Sequence, residues 1–287
     1  MDKVDPVQAD FREEIMKETV LMSELTWVEY QRRLQEEDAI VMLPVGATEQ
    51  HGPHLPLGCD AMLASEVARR AAERVGGIVA PAVSYGYKSQ PRTGGGNHFC
   101  GTTSLDGCTL SSVVRDIIKE FCRHGAKKIA VIDGHYENNL FLTEGIDLAL
   151  RDLRYDGHRD IRVVKMVYCE EIKSATLDRI FPNGYPGLAL EHAATLETSM
   201  MLYLFPGLVQ AVRIPNHPAP NFPPYGVYPT NVGWVPPTGV LSPAGAATAE
   251  FGKLLVDEFV DLVATVLQKE FRSTTREPSR AAAAGVR

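Results

Sequence analysis

Continuous apolar runs alternate with amphipathic helical stretches along most of this chain. The apolar runs cover residues 39–47, 77–86, 127–134 and 161–169, and helical periodicity occurs at 61–76, 109–126, 139–154 and 192–205. Unbroken hydrophobicity is typical of strands that are covered on both faces, and helices between such strands are typical of parallel βαβ units. The pattern therefore predicts an α/β fold in which helices cover both faces of a mostly parallel sheet.

The repeating pattern also predicts the domain organisation. Residues 24–272 are expected to form one domain, with an N-terminal extension at 1–23 and a flexible tail at 273–287. Residues 87–108 and 214–243 interrupt the alternation with many Gly, Pro, Ser and Thr residues, which indicates long loops. Ordered loops of this length are candidates for the walls of a site, and a surface crossover or an oligomer contact is the alternative.

Charge and cysteine content exclude several classes of function. The net charge is −7 and no Lys/Arg cluster stands free of acidic neighbours, so we expect neither a nucleic-acid nor a membrane partner. Five cysteines form an odd set without the short spacings of a zinc knuckle or a redox motif. The N-terminal segment lacks the apolar centre of a signal peptide. These features predict a cytoplasmic protein.

Histidine and carboxylate side chains follow two of the predicted strands. The stretch LPVGATEQHGPHLPLGCD places Glu49, His51 and Asp60 after the first strand, and VIDGHYENN places His135 and Glu137 after the third. Because ligands collect at the carboxyl ends of strands in open parallel sheets, we expect these five side chains to converge. Imidazoles mixed with carboxylates suit divalent zinc or manganese, and a carboxylate can bridge two ions.

A cation would also relieve repulsion among the three carboxylates. Two such charges at 4 Å repel by roughly 4 kcal/mol at an effective dielectric of about 20. Asp60 is the natural bridge between two ions, and the alternative is that each residue separately caps a helix or satisfies a loop. His54, which lies among the presumed ligands, is either a partner that orients a ligand or a loop histidine bonded to the backbone.

These motifs, together with EHAATLETSMMLYLFPGLV, resemble the creatininase family of metal-dependent amidohydrolases over roughly residues 24–270. SYGYKSQPRTGGGNHFCGTTSLDG and GHYENNLFLTEGIDLAL are especially similar to the creatinine-hydrolysing branch, whereas many other members have GHGGN in place of GHYEN. The resemblance implies a three-layer α/β/α fold, a homo-oligomer that is commonly a hexamer, and two divalent metal ions per subunit. Zinc, manganese and iron all tolerate mixed His and carboxylate ligands.

The resemblance also implies a role for each candidate ligand. Glu49 and His135 would bind one ion, His51 and Glu137 would bind the other, and Asp60 would bridge both. This set is the same as the one that the strand ends predict.

Catalytic and substrate-binding residues follow from the same resemblance. His192 matches the catalytic histidine and would protonate the leaving nitrogen, and Glu197 matches a glutamate at the same site. Glu137, a candidate metal ligand, is also counted among the catalytic residues. Glu197 would accept a proton from the attacking water or hold a cationic group of the substrate, and the sequence does not decide between these roles. The residues expected at the substrate are Thr93, Gly134, Tyr136, Cys169 and Leu188.

One departure from the family concerns substrate choice. Cys169 and Leu188 occupy the positions at which the creatinine-hydrolysing enzymes carry two tryptophans, and Trp27 and Trp234 lie elsewhere. Indole faces hold a flat cationic ring with about 0.5–2 kcal/mol each. We therefore expect hydrolysis of a cyclic amide with creatinine as the leading substrate, and a different lactam, a hydantoin-like ring or a formamide as the alternative. Trp234, in the second long loop, is a candidate to reach the pocket.

Other classes of protein fit the sequence less well. A non-catalytic metal-binding protein would use the same ligands but has no need for His192. A serine hydrolase is disfavoured because no G-x-S-x-G motif occurs. A dinucleotide-binding dehydrogenase is disfavoured because TGGGNH lacks the G-x-G-x-x-G spacing.

Overall fold

The computed structural model describes residues 19–272. The predicted tail at 273–287 and residues 1–18 of the predicted extension lie outside the described residues. Val20 and Leu21, which the sequence also assigns to the extension, pack against the core, and the Val20 carbonyl accepts a hydrogen bond from the Val79 N–H.

Strands and helices alternate through the first two thirds of the described chain. The strands are β1 (Val41–Val45), β2 (Ile78–Val79), β3 (Lys128–Asp133) and β4 (Arg162–Val167). The α-helices are α1 (Trp27–Glu36), α2 (Cys59–Val75), α3 (Gly107–Arg123), α4 (Asn139–Tyr155), α5 (Ser174–Ile180), α6 (Thr195–Leu204) and α7 (Ala249–Arg272). Short 3-10 helices lie at Met22–Glu24, Tyr136–Asn138, Leu188–Leu190, Pro206–Leu208, Ala211–Arg213 and Val232–Trp234.

The four strands form one sheet in the order β2-β1-β3-β4. All neighbouring strands are parallel, as predicted. Successive side chains of a strand point to opposite faces. Met42 packs with α2, α6 and α7, whereas Leu43 packs with α3 and α4. Helices thus cover both faces of the sheet, which confirms the three-layer α/β/α architecture.

The second strand is much shorter than the apolar run at 77–86 suggested. The Ala80 N–H still donates to the Met42 carbonyl at 2.8 Å, but the next hydrogen bond to β1 comes from Val83, three residues later instead of two, so the regular ladder ends here. The chain still runs beside β1, because the Val83 N–H donates to the Pro44 carbonyl at 3.0 Å.

Two helices begin at residues other than the predicted ones. The predicted helix 192–205 begins only at Thr195, because Ala193 has φ of 53°, outside the helical region. The helix α2 begins at Cys59, so Asp60 lies in its first turn rather than at the cap position. The positive end of the helix dipole favours a carboxylate at this place.

The two predicted long loops contain neither α-helix nor β-strand. They span residues 80–106 and 205–248, and the second includes three 3-10 turns. All five cysteines are free thiols. Within residues 19–272, no helix combines the length and the apolar character needed to cross a bilayer.

Candidate metal centre

Five side chains from four parts of the chain converge at the carboxyl edge of the sheet. Glu49 and His51 lie in the turn after β1, Asp60 in the first turn of α2, His135 directly after β3, and Glu197 in α6. They form two groups that share Asp60, one with Glu49 and His135 and one with His51 and Glu197. In each group the three donor atoms lie within 4.8 Å of one another.

The closest approaches in this cluster lack hydrogen-bond geometry. His135 Nδ1 is 3.0 Å from Glu49 Oε2 and 3.1 Å from Asp60 Oδ2, and His51 Nε2 is 2.9 Å from Asp60 Oδ1. Both Glu49 oxygens, Asp60 Oδ2 and His51 Nε2 are nevertheless buried without a hydrogen-bond partner among residues 19–272. Buried polar atoms rarely lack a hydrogen-bond partner. These unpartnered atoms point toward one another, as the ligand atoms around a bound cation do.

Each of the two imidazoles directs one ring nitrogen toward the cluster. His51 Nδ1 lies 3.1 Å from the Glu49 carbonyl and His135 Nε2 lies 3.0 Å from the Tyr87 carbonyl, so each of these nitrogens donates outward. In the neutral ring, the second nitrogen, which faces the carboxylates, carries the lone pair that a cation would bind. Metal-binding histidines are oriented in this way by a backbone or carboxylate acceptor.

The pKa shifts of the cluster residues show that positive charge stabilises the cluster. Burial lowers the pKa of His51, but the charge of Asp60 outweighs burial and holds that pKa well above its ordinary value. The pKa of His135 is raised in the same way, chiefly by Glu49 acting against burial. Burial raises the pKa of Glu49 to about 7. Divalent cations would neutralise these carboxylates without protons on the imidazoles.

Glu137 lies outside both groups. Its Oε2 is 3.5 Å from His135 Nε2, the ring nitrogen that does not face the other ligands. Its Oε1 accepts hydrogen bonds from the Gln90 N–H at 3.1 Å and from the Thr93 hydroxyl. The structure therefore brings Glu197, rather than Glu137, to the carboxylate position beside His51 and Asp60.

A strained residue orients Glu197. Ala193 is fully buried with φ of 53°, a conformation that non-glycine residues adopt at a cost. In this conformation its N–H donates to Glu197 Oε2 at 2.6 Å. The same oxygen lies 3.6 Å from His51 Nε2. Backbone strain at this position thus accompanies the placement of a candidate ligand.

His192 lies against the cluster from the other side. Its ring is buried, with the ring centroid 4.4 Å from that of His51, and it forms a third possible ligand group with Glu49 and His51. Burial, followed by the charge of His51, holds the pKa of His192 well below its ordinary value. The imidazole is therefore neutral at neutral pH and able to accept a proton.

A cavity of about 50 Å³ opens directly onto these groups. The five residues predicted to contact substrate all line it: Thr93, Gly134, Tyr136, Cys169 and Leu188. Apolar walls are completed by Val167, Leu196 and Met200. Thr93, Tyr136 and Glu137 also line a wider neighbouring cavity of about 680 Å³.

The site contains residues that the sequence analysis did not single out. Glu191 lines the cavity, and burial raises its pKa to about 8. The buried Asn138 donates to the carbonyl of Gly46 and to Asp133, and it accepts from the Tyr87 N–H at 2.8 Å. Asn138 lies in the DGHYENN motif, which was a readable signal, whereas nothing local to Glu191 marks it as buried.

Two further candidates do not reach the cluster. His54 is buried with Nε2 2.9 Å from the Thr198 hydroxyl, and it belongs to none of the ligand groups found in the described part of the chain. Trp234 packs edge-on against Tyr225 and does not line the cavity at the metal centre.

Comparison with known proteins gives matches along nearly the whole described chain. The family model described as "Creatininase: Creatinine amidohydrolase" matches residues 23–267. The creatinine amidohydrolase of Pseudomonas putida is 47% identical over 260 residues, which cover 90% of this chain and all of that protein. A crystal structure of creatinine amidohydrolase superposes with a TM-score of 0.88 at 47% identity, covering 90% of this chain and 100% of the other.

Two related structures name their metals. A mutant creatininase of the Zn–Zn type has a TM-score of 0.87 at 46% identity and covers 89% of this chain and 99% of its own. A manganese form of creatininase has a TM-score of 0.87 at 47% identity, with coverages of 88% and 99%.

Proposed function

The chain belongs to the creatininase family, and on that premise we propose that it opens a cyclic amide by hydrolysis, with creatinine as the first candidate substrate and creatine as the product. One observation carries the proposal: two ligand groups share Asp60 beside a cavity that His192 also lines. A protein that only stored metal would need no neutral, buried imidazole facing that cavity.

Divalent ions fit the donor set, and the Zn–Zn and manganese forms of the relatives support zinc or manganese, with iron as a further option. We place one ion at Glu49, Asp60 and His135, and the other at His51, Asp60 and Glu197. For the second ion, Glu197 takes the role that the resemblance gave to Glu137, because only Glu197 lies with the free nitrogen of His51.

The residues around the cavity would each contribute to the reaction. Two divalent ions at these positions would activate a water molecule and polarise the amide carbonyl. His192 is neutral, so it can take up the proton that the water releases and pass it to the leaving ring nitrogen. Glu137, oriented by Thr93, faces the cavity and can hold a cationic guanidine-like group.

Measurements of metal binding and of creatinine hydrolysis test the proposed metal-dependent reaction. The chelated protein should bind two equivalents of Zn²⁺ or Mn²⁺ and then hydrolyse creatinine, and chelation should abolish turnover reversibly. Metal binding without turnover of creatinine, methylhydantoin, dihydrouracil or simple lactams would favour the non-catalytic metal-binding alternative. Turnover that survives complete removal of metal would refute the metal mechanism.

A second candidate, hydrolysis of a different or larger ring, is supported by the pocket walls. A thiol and an isobutyl group stand where the creatinine-hydrolysing enzymes carry indoles, so a small flat cation is gripped less firmly. A neighbouring cavity of about 680 Å³, which shares Thr93, Tyr136 and Glu137 with the inner one, offers space for a substituent on the ring. A higher kcat/KM for a substituted hydantoin or lactam than for creatinine would favour this candidate.

We further propose that residues 24–272 form one catalytic domain and that the enzyme works as a cytoplasmic hexamer. The family match over residues 23–267 supports the domain, and the free cysteines suit a reducing compartment. Exposed apolar side chains on the second long loop, Val212 and Tyr228 among them, suit contacts between subunits. Light scattering during gel filtration tests the hexamer. Neither a nucleic-acid nor a membrane partner is expected.

A further inference from the structure

Gln50 lies between the ligands Glu49 and His51, but its own side chain is enclosed in a separate socket. Its Oε1 accepts from the Gly52 N–H at 2.9 Å. Its Nε2 donates to the carbonyls of Gly94 at 3.0 Å and Gly239 at 3.1 Å. These carbonyls belong to the two long loops, so one buried amide joins both loops to the turn after β1.

The backbone of both loops packs tightly around the Gln50 amide. Gly239 has φ of 78°, and a Cβ atom there would lie 2.0 Å from Gln50 Oε1. A Cβ at Gly95, where φ is 77°, would lie 2.6 Å from Gln50 Nε2. Glycines on both loops thus let the backbone close around the amide and fix its orientation.

His192 meets Gln50 at a single ring nitrogen. His192 Nε2 is 2.8 Å from the main-chain carbonyl of Gln50 and 2.8 Å from its side-chain nitrogen. The two amide hydrogens are already directed to the carbonyls of Gly94 and Gly239. The carbonyl of Gln50 therefore accepts a hydrogen bond from Nε2–H, and in the neutral ring this leaves the lone pair on Nδ1.

We propose that Gln50 is a positioning residue for His192, which keeps the proton on Nε2 and leaves Nδ1 as the only ring atom that exchanges protons during hydrolysis. The inference rests on the proposed function. The Nδ1 lone pair would take a proton from the attacking water, and the same N–H would protonate the leaving nitrogen as the C–N bond breaks. Nε2–H stays on the Gln50 carbonyl throughout, so the ring need not turn.

Two variants of Gln50 separate this role from support of the fold. Gln50→Met keeps the length and the main-chain carbonyl but loses the amide, and Gln50→Glu sets an oxygen against two carbonyls. We expect kcat to fall by about tenfold or more in both, with KM changed by no more than about threefold and both zinc ions retained. Gln35→Met, on the exposed face of α1, is the matched control and should keep wild-type kinetics.

A double-mutant cycle gives the decisive comparison. In a His192→Ala background, Gln50→Met should cost no more than about twofold in single-turnover rate, because the group it positions is gone. An equal loss in both backgrounds, loss of zinc from Gln50→Met, or wild-type kcat in Gln50→Met would each overturn the proposal.

Nitrogen NMR of the histidine rings in the zinc-loaded protein reports which nitrogen of His192 carries the proton. Because this measurement needs no turnover, it tests the inference separately from the proposed function. The signals of His192, identified by their absence in His192→Ala, should show a protonated Nε2 and a bare Nδ1 in the wild type. They should shift or broaden in Gln50→Met and not in Gln35→Met. Unchanged signals, or a proton on Nδ1 in the wild type, would overturn the inference even if no cyclic amide is hydrolysed. Absence of turnover with the expected signals would contradict the proposed function alone.

Discussion

Replacing Gly94 by alanine should weaken metal binding, because the added methyl group would enter the space of a ligand atom. A Cβ at this position would lie 2.2 Å from Glu49 Oε1, 2.6 Å from the Ser89 hydroxyl oxygen and 3.1 Å from Glu137 Oε1. Gly94 does not have the positive φ that alanine avoids, so the effect would be one of contact rather than of backbone strain.

The size of the effect follows from how far Glu49 must move. Ordinary contact begins near 3.4 Å, so the carboxylate has to retreat by more than 1 Å. Metal–ligand distances tolerate only about 0.2 Å, and overpacking of a rigid site costs about 1–3 kcal/mol. Because a metal-free carboxylate can rotate away, most of this cost falls on the bound state. The Kd of the ion at Glu49 should rise by about five- to 150-fold.

Titration calorimetry with Zn²⁺ on the chelated protein measures this change. Gly245→Ala is the matched control, since no atom lies within 4 Å of a Cβ at Gly245. Its Kd should equal that of the wild type. A Gly94→Ala variant that binds both ions with wild-type affinity would refute the placement of Glu49 as a ligand in this geometry.

Three further predictions concern the ligands, the pocket and pH. Glu197→Gln should bind one zinc ion per subunit whereas Glu137→Gln should retain two, as measured by elemental analysis, and the reverse result would restore the ligand set implied by the resemblance. Cys169→Trp and Leu188→Trp should each lower KM for creatinine by about two- to 30-fold through stacking on the ring, and a raised KM in both would contradict a creatinine pocket. Burial raises the pKa of Glu191 from 4.5 to about 8, so the folded state holds this proton more tightly than the unfolded state and wild-type stability should fall as pH rises between those values. Glu191→Gln should remove that part of the slope in urea unfolding of the chelated protein, and identical slopes would show that Glu191 is not buried as described.

The order of the core elements could be predicted because the two central strands, β1 and β3, are apolar along most of their length. β1 and β3 are covered on both faces, and their hydrophobic runs are therefore unbroken. The helix α7 was absent from the prediction although Leu255, Phe259 and Val263 recur on one buried face at helical spacing. The capping box of Thr26 and Glu29 that begins α1 was likewise readable.

The site was predictable only where ligands follow a strand end directly. Glu49, His51 and His135 lie beside the ends of adjacent strands, so sheet topology alone brings them together. Glu197 comes from α6, and its place beside His51 depends on how that helix packs and on the strained Ala193. No local pattern encodes such packing, which is why the sequence alone does not place Glu197 rather than Glu137 beside His51.

The sharing of Asp60 between ligand groups drawn from distant segments has a consequence for folding kinetics. The first ligand group needs the turn after β1, α2 and the exit of β3 in place, and the second needs the turn after β1, α2 and α6. The buried carboxylates of Glu49 and Asp60, together with the partly buried Glu197, oppose this docking until cations arrive. Metal ions should therefore act after the folding transition state, so that they slow unfolding strongly and leave the rate of chain folding nearly unchanged.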